Sequence, residues 1–252
     1  MNTWGIVPAA GLGTRIQPLA FSKELLPVGL RQEGGTEHPR AVCEYLLDRM
    51  LQGGATRICF IISPAKTDIV NYFGGRFGNA AICYAIQSNP DGLCDAIFSA
   101  LPFIPPEDDI LIGLPDTVWF PEDGFQQLPS RAFSFLLFPV KRPELFDAVV
   151  TDEQGFVKKI EVKERNPSTH WIWGGFKLPS AELLQLRRLW YERGRADQYV
   201  GTLVNSHIAN GHKVAAIKRG ETYVDVGTLH GYREAAQLLA SQNQVASVDI
   251  AA

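Results

Sequence analysis

Over residues 3–140, short runs rich in β-branched and aromatic residues alternate with stretches whose apolar residues recur at helical spacing. TWGIVPA, RICFII, AAICYAI, DDILIGL and FSFLLFPV read as five strands, with PDTVWF at the C-terminal end of the fourth. Between them, residues 40–52, 65–73 and 92–101 read as helices, the first stopped by Gly53-Gly54. Strand and helix in strict alternation force crossovers between parallel strands. The order predicts an α/β fold with a mainly parallel, doubly wound, Rossmann-like sheet. The pattern changes after residue 140. AVVTDEQGFVKKIEV reads as two strands about a turn, WIWGGFKL as a strand, and residues 180–193 and 197–210 as helices. HKVAAIK and ETYVDVG read as short strands, and residues 230–241 as a closing helix. One domain is expected over residues 1–252, with a wound part (1–139) and a smaller α+β part (140–252) forming the far wall of a site. RQEGGTEHP, residues 31–39, is expected to be a mobile surface loop, and the terminal SVDIAA to fray.

Composition narrows the partners. The chain of 252 residues has a formal net charge of −3, so no bulk positive field draws it to nucleic acid or anionic lipid. A phosphate site has to be built locally. Cys43, Cys59, Cys83 and Cys94 form no C-x-x-C pair and no zinc spacing, and free thiols are expected. None of the five histidines has a partner at convincing spacing. No apolar stretch approaches the ~20 residues needed to span a bilayer. The N-terminus lacks the basic start of a signal peptide. A cytoplasmic protein with no membrane partner is expected, with a homo-oligomer left open.

The first local signal is PAAGLGTRIQPLAFSKELLPVG, directly after the first strand. Ligands of parallel α/β sheets bind beyond the carboxyl ends of the strands. Gly11 and Gly13 allow unusual φ values and close approach of backbone N–H groups to an anion. Arg15 adds a planar cation that grips phosphate oxygens, and Lys23 a point charge. A tight turn with two solvated cations is the bland alternative for a lone G-x-G. The loop lacks the G-K-[ST] of a P-loop and the third glycine of a dinucleotide fingerprint.

The full string GLGTRIQPLAFSKELLPV resembles the signature of sugar-1-phosphate nucleotidyltransferases. PAAGLGTR resembles glucose-1-phosphate uridylyltransferases, and SKELLPV resembles both these and the thymidylyltransferases. The resemblance implies that Ala10, Gly11, Leu12, Gly13, Thr14 and Arg15 wrap a nucleoside triphosphate. It also implies that Arg15 and Lys23 act on its phosphates. QSNPDGLCDA resembles the segment that reads the base, which puts Gln87, Pro90 and Gly92 at a pyrimidine. GLPDTVWF and YVDVGTLHGYREA resemble the segments whose carboxylates hold Mg2+, here Asp116 and Asp225. KKIEVKERNP matches an acceptor segment in which Lys163 holds the acceptor phosphate. Ala148, Val162, Trp173 and Gly174 fall at the remaining acceptor positions. There the chain departs from the family: the sugar-binding glutamate falls on Val162, a Tyr-Gly pair falls on Asp147-Ala148, and Trp173 stands where a smaller residue is common. Glu161 or Glu164 could substitute, but strand alternation points neighbours to opposite faces.

The resemblance implies Mg2+-dependent transfer of a nucleotidyl group from dTTP or UTP to a sugar 1-phosphate. Two other readings stand beside it. One is a cytidylyl- or other nucleotidyltransferase with a non-sugar acceptor such as phosphocholine, for which Trp171 and Trp173 could suit a cationic head group. The other is a catalytically silent, nucleotide-sensing subunit of the same fold.

Overall fold

The computed structural model describes residues 2–89 and 91–249. The chain opens with β1 (Thr3–Pro8) and, after a 3-10 turn at Lys23–Leu25, forms β2 (Pro27–Glu33) and β3 (Thr36–Ala41). Next come α1 (Val42–Gln52), β4 (Ala55–Ile62), α2 (Thr67–Phe73), β5 (Arg76–Phe77), β6 (Ala80–Ile86), α3 (Leu93–Phe98) and β7 (Asp109–Gly113). The rest comprises β8 (Thr117–Phe120), β9 (Ser134–Pro139), β10 (Asp147–Thr151), β11 (Val157–Val162), β12 (Trp171–Pro179), α4 (Ser180–Glu192), α5 (Val200–Ala209), β13 (Ala215–Ile217), β14 (Thr222–Asp225) and α6 (Leu229–Asp249).

The expected α/β class holds. β7, β1, β4 and β6 lie side by side and parallel, with Ile6 of β1 beside Cys59 of β4 and Ile112 of β7. These strands read as continuous apolar runs because helices cover both faces. Successive residues of β1 show the alternation: Ile6 joins one core cluster with Phe135, Phe176 and Leu203, while Val7 joins another with Leu46, Phe60 and Phe138.

The second half adds antiparallel strands. β12 runs antiparallel to β7 and pairs on the same path with β10, which carries β11 at the edge. FSFLLFPV, expected as the fifth strand of the wound series, is β9, which pairs antiparallel with β12 and parallel with β13. The series breaks because β8 leaves the main sheet to pair with β14.

RQEGGTEHP is not a mobile loop but the tip of the β2–β3 hairpin, with Arg31 opposite His38 and Gln32 opposite Glu37. Gly34 and Gly35 take φ values of 58° and 81°, as a two-residue primed turn requires. The hairpin base is tied down where Tyr45 Oη donates to the Val28 carbonyl at 2.9 Å. β3 runs through Arg40 and Ala41, so α1 begins later than its periodicity suggests. α6 continues past residue 241 to Asp249, so residues 247–249 are helical rather than frayed, and residues 250–252 lie outside the described residues. No helix among the described residues is long and apolar enough to cross a membrane.

Candidate active site

The glycine-rich loop leaves β1 at the carboxyl edge of the parallel strands, where Ala9 N–H still bonds the Ile61 carbonyl at 2.7 Å. Ala10 is buried in the core, whereas Leu12, Thr14 and Arg15 face outward. Only one of the two glycines needs to be glycine for conformational reasons. Gly13 sits at φ +64°, and a Cβ there would come within 2.8 Å of Lys23 Cδ. Gly11 has no positive φ and nothing within 4 Å of a Cβ position, which corrects the expectation of unusual φ at both.

A buried ion pair and a carboxylate–serine contact, both missed by sequence reasoning, hold the loop. Lys66 Nζ lies 2.8 Å from both carboxylate oxygens of Glu24 and donates to the Ala9 carbonyl at 2.7 Å. Asp68 accepts from Ser22 N–H at 2.6 Å and from Ser22 Oγ at 2.7 Å. Together they clamp the turn that carries Lys23 against the end of β1 and the start of α2.

Asp116 and Asp225 converge because β8 and β14 pair with Thr117 opposite Asp225. Val226 N–H then donates to the Asp116 carbonyl at 2.8 Å. β8 is held in turn by Arg49 of α1, a buried guanidinium that donates to the Trp119 carbonyl through Nε at 2.8 Å and Nη2 at 2.5 Å. Burial pulls the Arg49 pKa down to about 10, with nearby Glu122 opposing. Lys23 pairs with Asp116, and Arg15 Nη1 lies 2.9 Å from Asp225 Oδ2. Burial alone would raise the Asp116 carboxyl. The Lys23 ammonium and its hydrogen bond outweigh burial and hold Asp116 below the ordinary carboxylate value. Lys23 shows the converse: burial works downward, Asp116 upward, and Asp116 wins.

Three of these four charges surround Gly227, and the fourth, Lys23, pairs with Asp116. A Cβ on Gly227 would lie 2.8 Å from Asp225 Oδ1, 3.0 Å from Asp116 Oδ2 and 3.0 Å from Arg15 Nη2. A cradle with two carboxylate oxygens about one point suits Mg2+, which keeps waters and takes substrate phosphate oxygens rather than a full protein cage.

In the segment expected to read a base, Gln87 is buried just after β6, and its Nε2 donates to Asp95 Oδ2 at 2.8 Å and to the Gly92 carbonyl at 3.2 Å. Arg195 Nη2 contacts the same Asp95 at 3.1 Å, and Gly92, at φ +95°, leaves room for the Gln198 backbone. Loop 195–198 from the second half therefore braces the segment; no local signal near Gln87 points to it. Pro90 lies outside the described residues.

In the segment expected to hold an acceptor, Lys163 follows β11 in a left-handed conformation, φ +51°. Its Nζ lies 3.6 Å from Asp147 Oδ1 and donates to the Leu145 carbonyl at 3.4 Å. Burial pushes the Asp147 carboxyl up, and Lys163 pulls it back only in part. Ala148 turns its side chain into the opposite core cluster. Val162 packs with Ile160 against Gly201 of α5. Gly174 leaves room for the rings of Phe138 and Tyr223. Glu161 is committed to Ser168, accepting from its N–H at 2.7 Å and its hydroxyl at 2.9 Å, and Glu164 is exposed.

Tyr223 links the two regions. Its ring meets Phe146 edge-on at 5.7 Å, and burial, then Asp225, Asp116 and Asp147, push its phenol pKa well up. The two tryptophans do not form an aromatic cage. Trp173 packs on Phe135 and Phe176, while Trp171 lies beneath the Lys218 ammonium at 5.4 Å.

All four cysteines are free. Histidines do have partners: His207 Nε2 lies 2.8 Å from Glu182 Oε1, and its ring stacks on that of His212 at 3.9 Å and 9°. These three residues bring ligand atoms within 4.8 Å of one another. With the rings stacked and nearly parallel, a single ion cannot lie in the plane of both.

The family profile described as nucleotidyl transferase matches residues 4–242. The glucose-1-phosphate thymidylyltransferase of Neisseria meningitidis is 26% identical, over 98% of this chain and 86% of that protein. The UTP–glucose-1-phosphate uridylyltransferase AglF of Haloferax volcanii is 23% identical, over 96% and 98%. Among solved structures, the UTP-bound UGPase of Acinetobacter baumannii superposes with a TM-score of 0.77 at 18% identity, covering 97% of this chain and 98% of that one. At that identity the superposition speaks for the fold.

Proposed function

This chain belongs to the nucleotidyl transferase family, and on that premise we propose that it moves the nucleotidyl group of dTTP or UTP onto a sugar 1-phosphate. The products are a nucleotide sugar and pyrophosphate. The observation that carries the reading is the convergence of two carboxylates and two cations beside Gly227, drawn from the glycine-rich loop, the turn before β2, the segment between β7 and β8 and the end of β14. Asp116 and Asp225 would hold Mg2+, which supplies charge stabilisation to the reacting phosphates when bound.

An oxygen of the acceptor phosphate attacks the α-phosphorus. The new P–O bond forms as the bond to the bridging oxygen of the β-phosphate breaks, and pyrophosphate takes the electron pair. The nucleophile is already an anion, so no side chain has to remove a proton. The protein positions the groups and neutralises charge. Arg15 and Lys23 bind the triphosphate oxygens and the departing pyrophosphate. Lys163, on the far wall, orients the acceptor phosphate. Gln87 lies beside the pyrimidine, its orientation set by Asp95. The relatives named as thymidylyl- and uridylyltransferases support both the donor and the acceptor class.

Pyrophosphate release measured over a grid of triphosphates and phosphorylated acceptors with Mg2+ tests the reading. Release is expected with dTTP or UTP and a sugar 1-phosphate. Release with phosphocholine alone would replace the sugar acceptor, and nucleotide binding without any release would make this a silent member of the fold.

A further inference from the structure

On the reading that a phosphorylated acceptor sits at Lys163, we infer that Asp147 supplies the carboxylate that recognises hydroxyl or ammonium donors of the acceptor next to its phosphate. The carboxylate comes from β10, directly across the ladder from Val162 of β11.

Asp147 is only 7% exposed, yet its contacts are loose. Oδ1 takes the Lys163 N–H at 3.3 Å and lies 3.6 Å from Nζ. Both are longer than the roughly 2.7–2.9 Å of a charge-assisted bond. A carboxylate accepts at about four lone-pair sites, and the long Lys163 contacts and the neighbouring Trp173 indole leave part of this buried capacity open. A buried donor stands beside it. Trp173 Nε1 has no hydrogen-bond partner of good geometry among the described residues, although it is near enough to Asp147 to help stabilise the charged carboxylate. Buried polar groups left this way require an explanation.

A ligand hydroxyl resolves both deficits, since it donates to the carboxylate and accepts from the indole N–H. A quaternary ammonium has neither an N–H for Asp147 nor a lone pair for Trp173. The nearby carboxylates do not compete: Glu161 is committed to Ser168, and Glu164 is exposed. When Lys163 turns to an acceptor phosphate, Asp147 loses its countercharge. New donors must then replace it, because an unpaired buried charge is costly. The acceptor class is therefore a phosphate ester with hydrogen-bond donors close to the phosphate, either a sugar or an amino sugar.

The test is the kinetics of Asp147→Asn, which keeps shape and removes charge, with a sugar 1-phosphate, its deoxy analogues and an amino-sugar 1-phosphate. The acceptor KM is expected to rise about ten- to hundred-fold, the size of a lost charged hydrogen bond. The triphosphate KM is expected to stay put, and the wild-type penalty against one deoxy analogue to vanish. A larger loss with the amino sugar than with its hydroxyl counterpart identifies the ammonium as the donor. Trp173→Phe keeps a ring and removes the N–H, and should also raise the acceptor KM alone. Val162→Glu added to Asp147→Asn should restore part of the affinity from the opposite strand. Unchanged acceptor KM and deoxy penalty in both single variants overturn this assignment while leaving the transferase reading intact. Wild-type protein that releases pyrophosphate with no sugar phosphate overturns both.

Discussion

Lys66→Met should damage the site without touching any proposed ligand contact. Lys66 Nζ meets both Glu24 oxygens at 2.8 Å and the Ala9 carbonyl at 2.7 Å, and Glu24 is fully buried. Methionine keeps most of the stem and strands the carboxylate. Removing one partner of a buried pair costs about 3–5 kcal/mol, which for a chain of this size lowers Tm by roughly 6–20 °C. The affected turn carries Lys23, so triphosphate KM should rise as well.

The sign of the pH dependence follows from Glu24. Burial pushes its carboxyl above the ordinary 4.5, and Lys66 is the largest pull in the other direction. Without Lys66 the folded-state value climbs further. A carboxyl raised on folding costs stability once pH exceeds its unfolded value, and the cost grows until pH passes the folded one. The deficit of Lys66→Met is therefore largest at neutral and alkaline pH and narrows as pH falls towards 4.5. Urea denaturation of both proteins over a pH series measures it. Glu24→Gln in the Lys66→Met background should recover a large part of the loss. A deficit under about 1 kcal/mol, or one equal at about pH 8 and about pH 5, would refute the reasoning.

Three further outcomes are expected. Asp225→Ala should leave the circular dichroism and melting intact while lowering turnover by orders of magnitude; near-wild-type turnover would remove Asp225 from the metal assignment. Gly227→Ala puts a methyl within 3.0 Å of Asp225, Asp116 and Arg15. It should weaken Mg2+-dependent triphosphate binding in a calorimetric titration, and unchanged binding would mean that the cradle is not where the ligands meet. Gly13→Ala forces a side chain to φ +64° and towards Lys23, at a cost of about 1–2 kcal/mol. Gly11→Ala, with open space and no positive φ, should cost no stability; paired urea melts that show equal losses would undo the distinction.

The wound half was legible because its strands and helices carry their own periodicity, and the glycine-rich loop was legible because its chemistry is contiguous. Asp116 and Asp225 were found only through resemblance, since their meeting depends on β8 pairing with β14, to which no local pattern points. The β2–β3 hairpin escaped because both strands are mostly exposed, so no alternation of apolar and polar residues marks them. Gly34-Gly35 was the remaining clue, and it reads as a turn only once strands flank it. Glu24, Lys66 and Arg49 look like solvated surface charges in the sequence. Their burial is decided by partners far along the chain, Lys66 for Glu24 and the Trp119 carbonyl for Arg49. Asp147 is of the same kind: its role is defined by Val162 opposite, not by its neighbours.

Each site carboxylate pairs with a cation, Lys23 with Asp116 and Arg15 with Asp225. On the proposed reading, the cations must turn to phosphate oxygens and the carboxylates to Mg2+. Neither exchange is favourable alone. A triphosphate that draws Lys23 away leaves Asp116 buried without a countercharge, while a metal ion arriving first is repelled by the cations still present. Together the exchanges satisfy every group, so triphosphate and Mg2+ should each raise the other's affinity by the same factor. Couplings of this kind are typically about 1–3 kcal/mol, roughly 5- to 150-fold. Mg2+ also binds triphosphate in water, so the decisive comparison is with Asp116→Asn, in which the solution contribution persists and that of the protein is reduced. Calorimetric titration of triphosphate with and without Mg2+ should show a larger gain in the wild type than in the variant. Equal gains would mean that the carboxylates do not take part, and that Lys23 and Arg15 are held by Asp116 and Asp225 for structure alone.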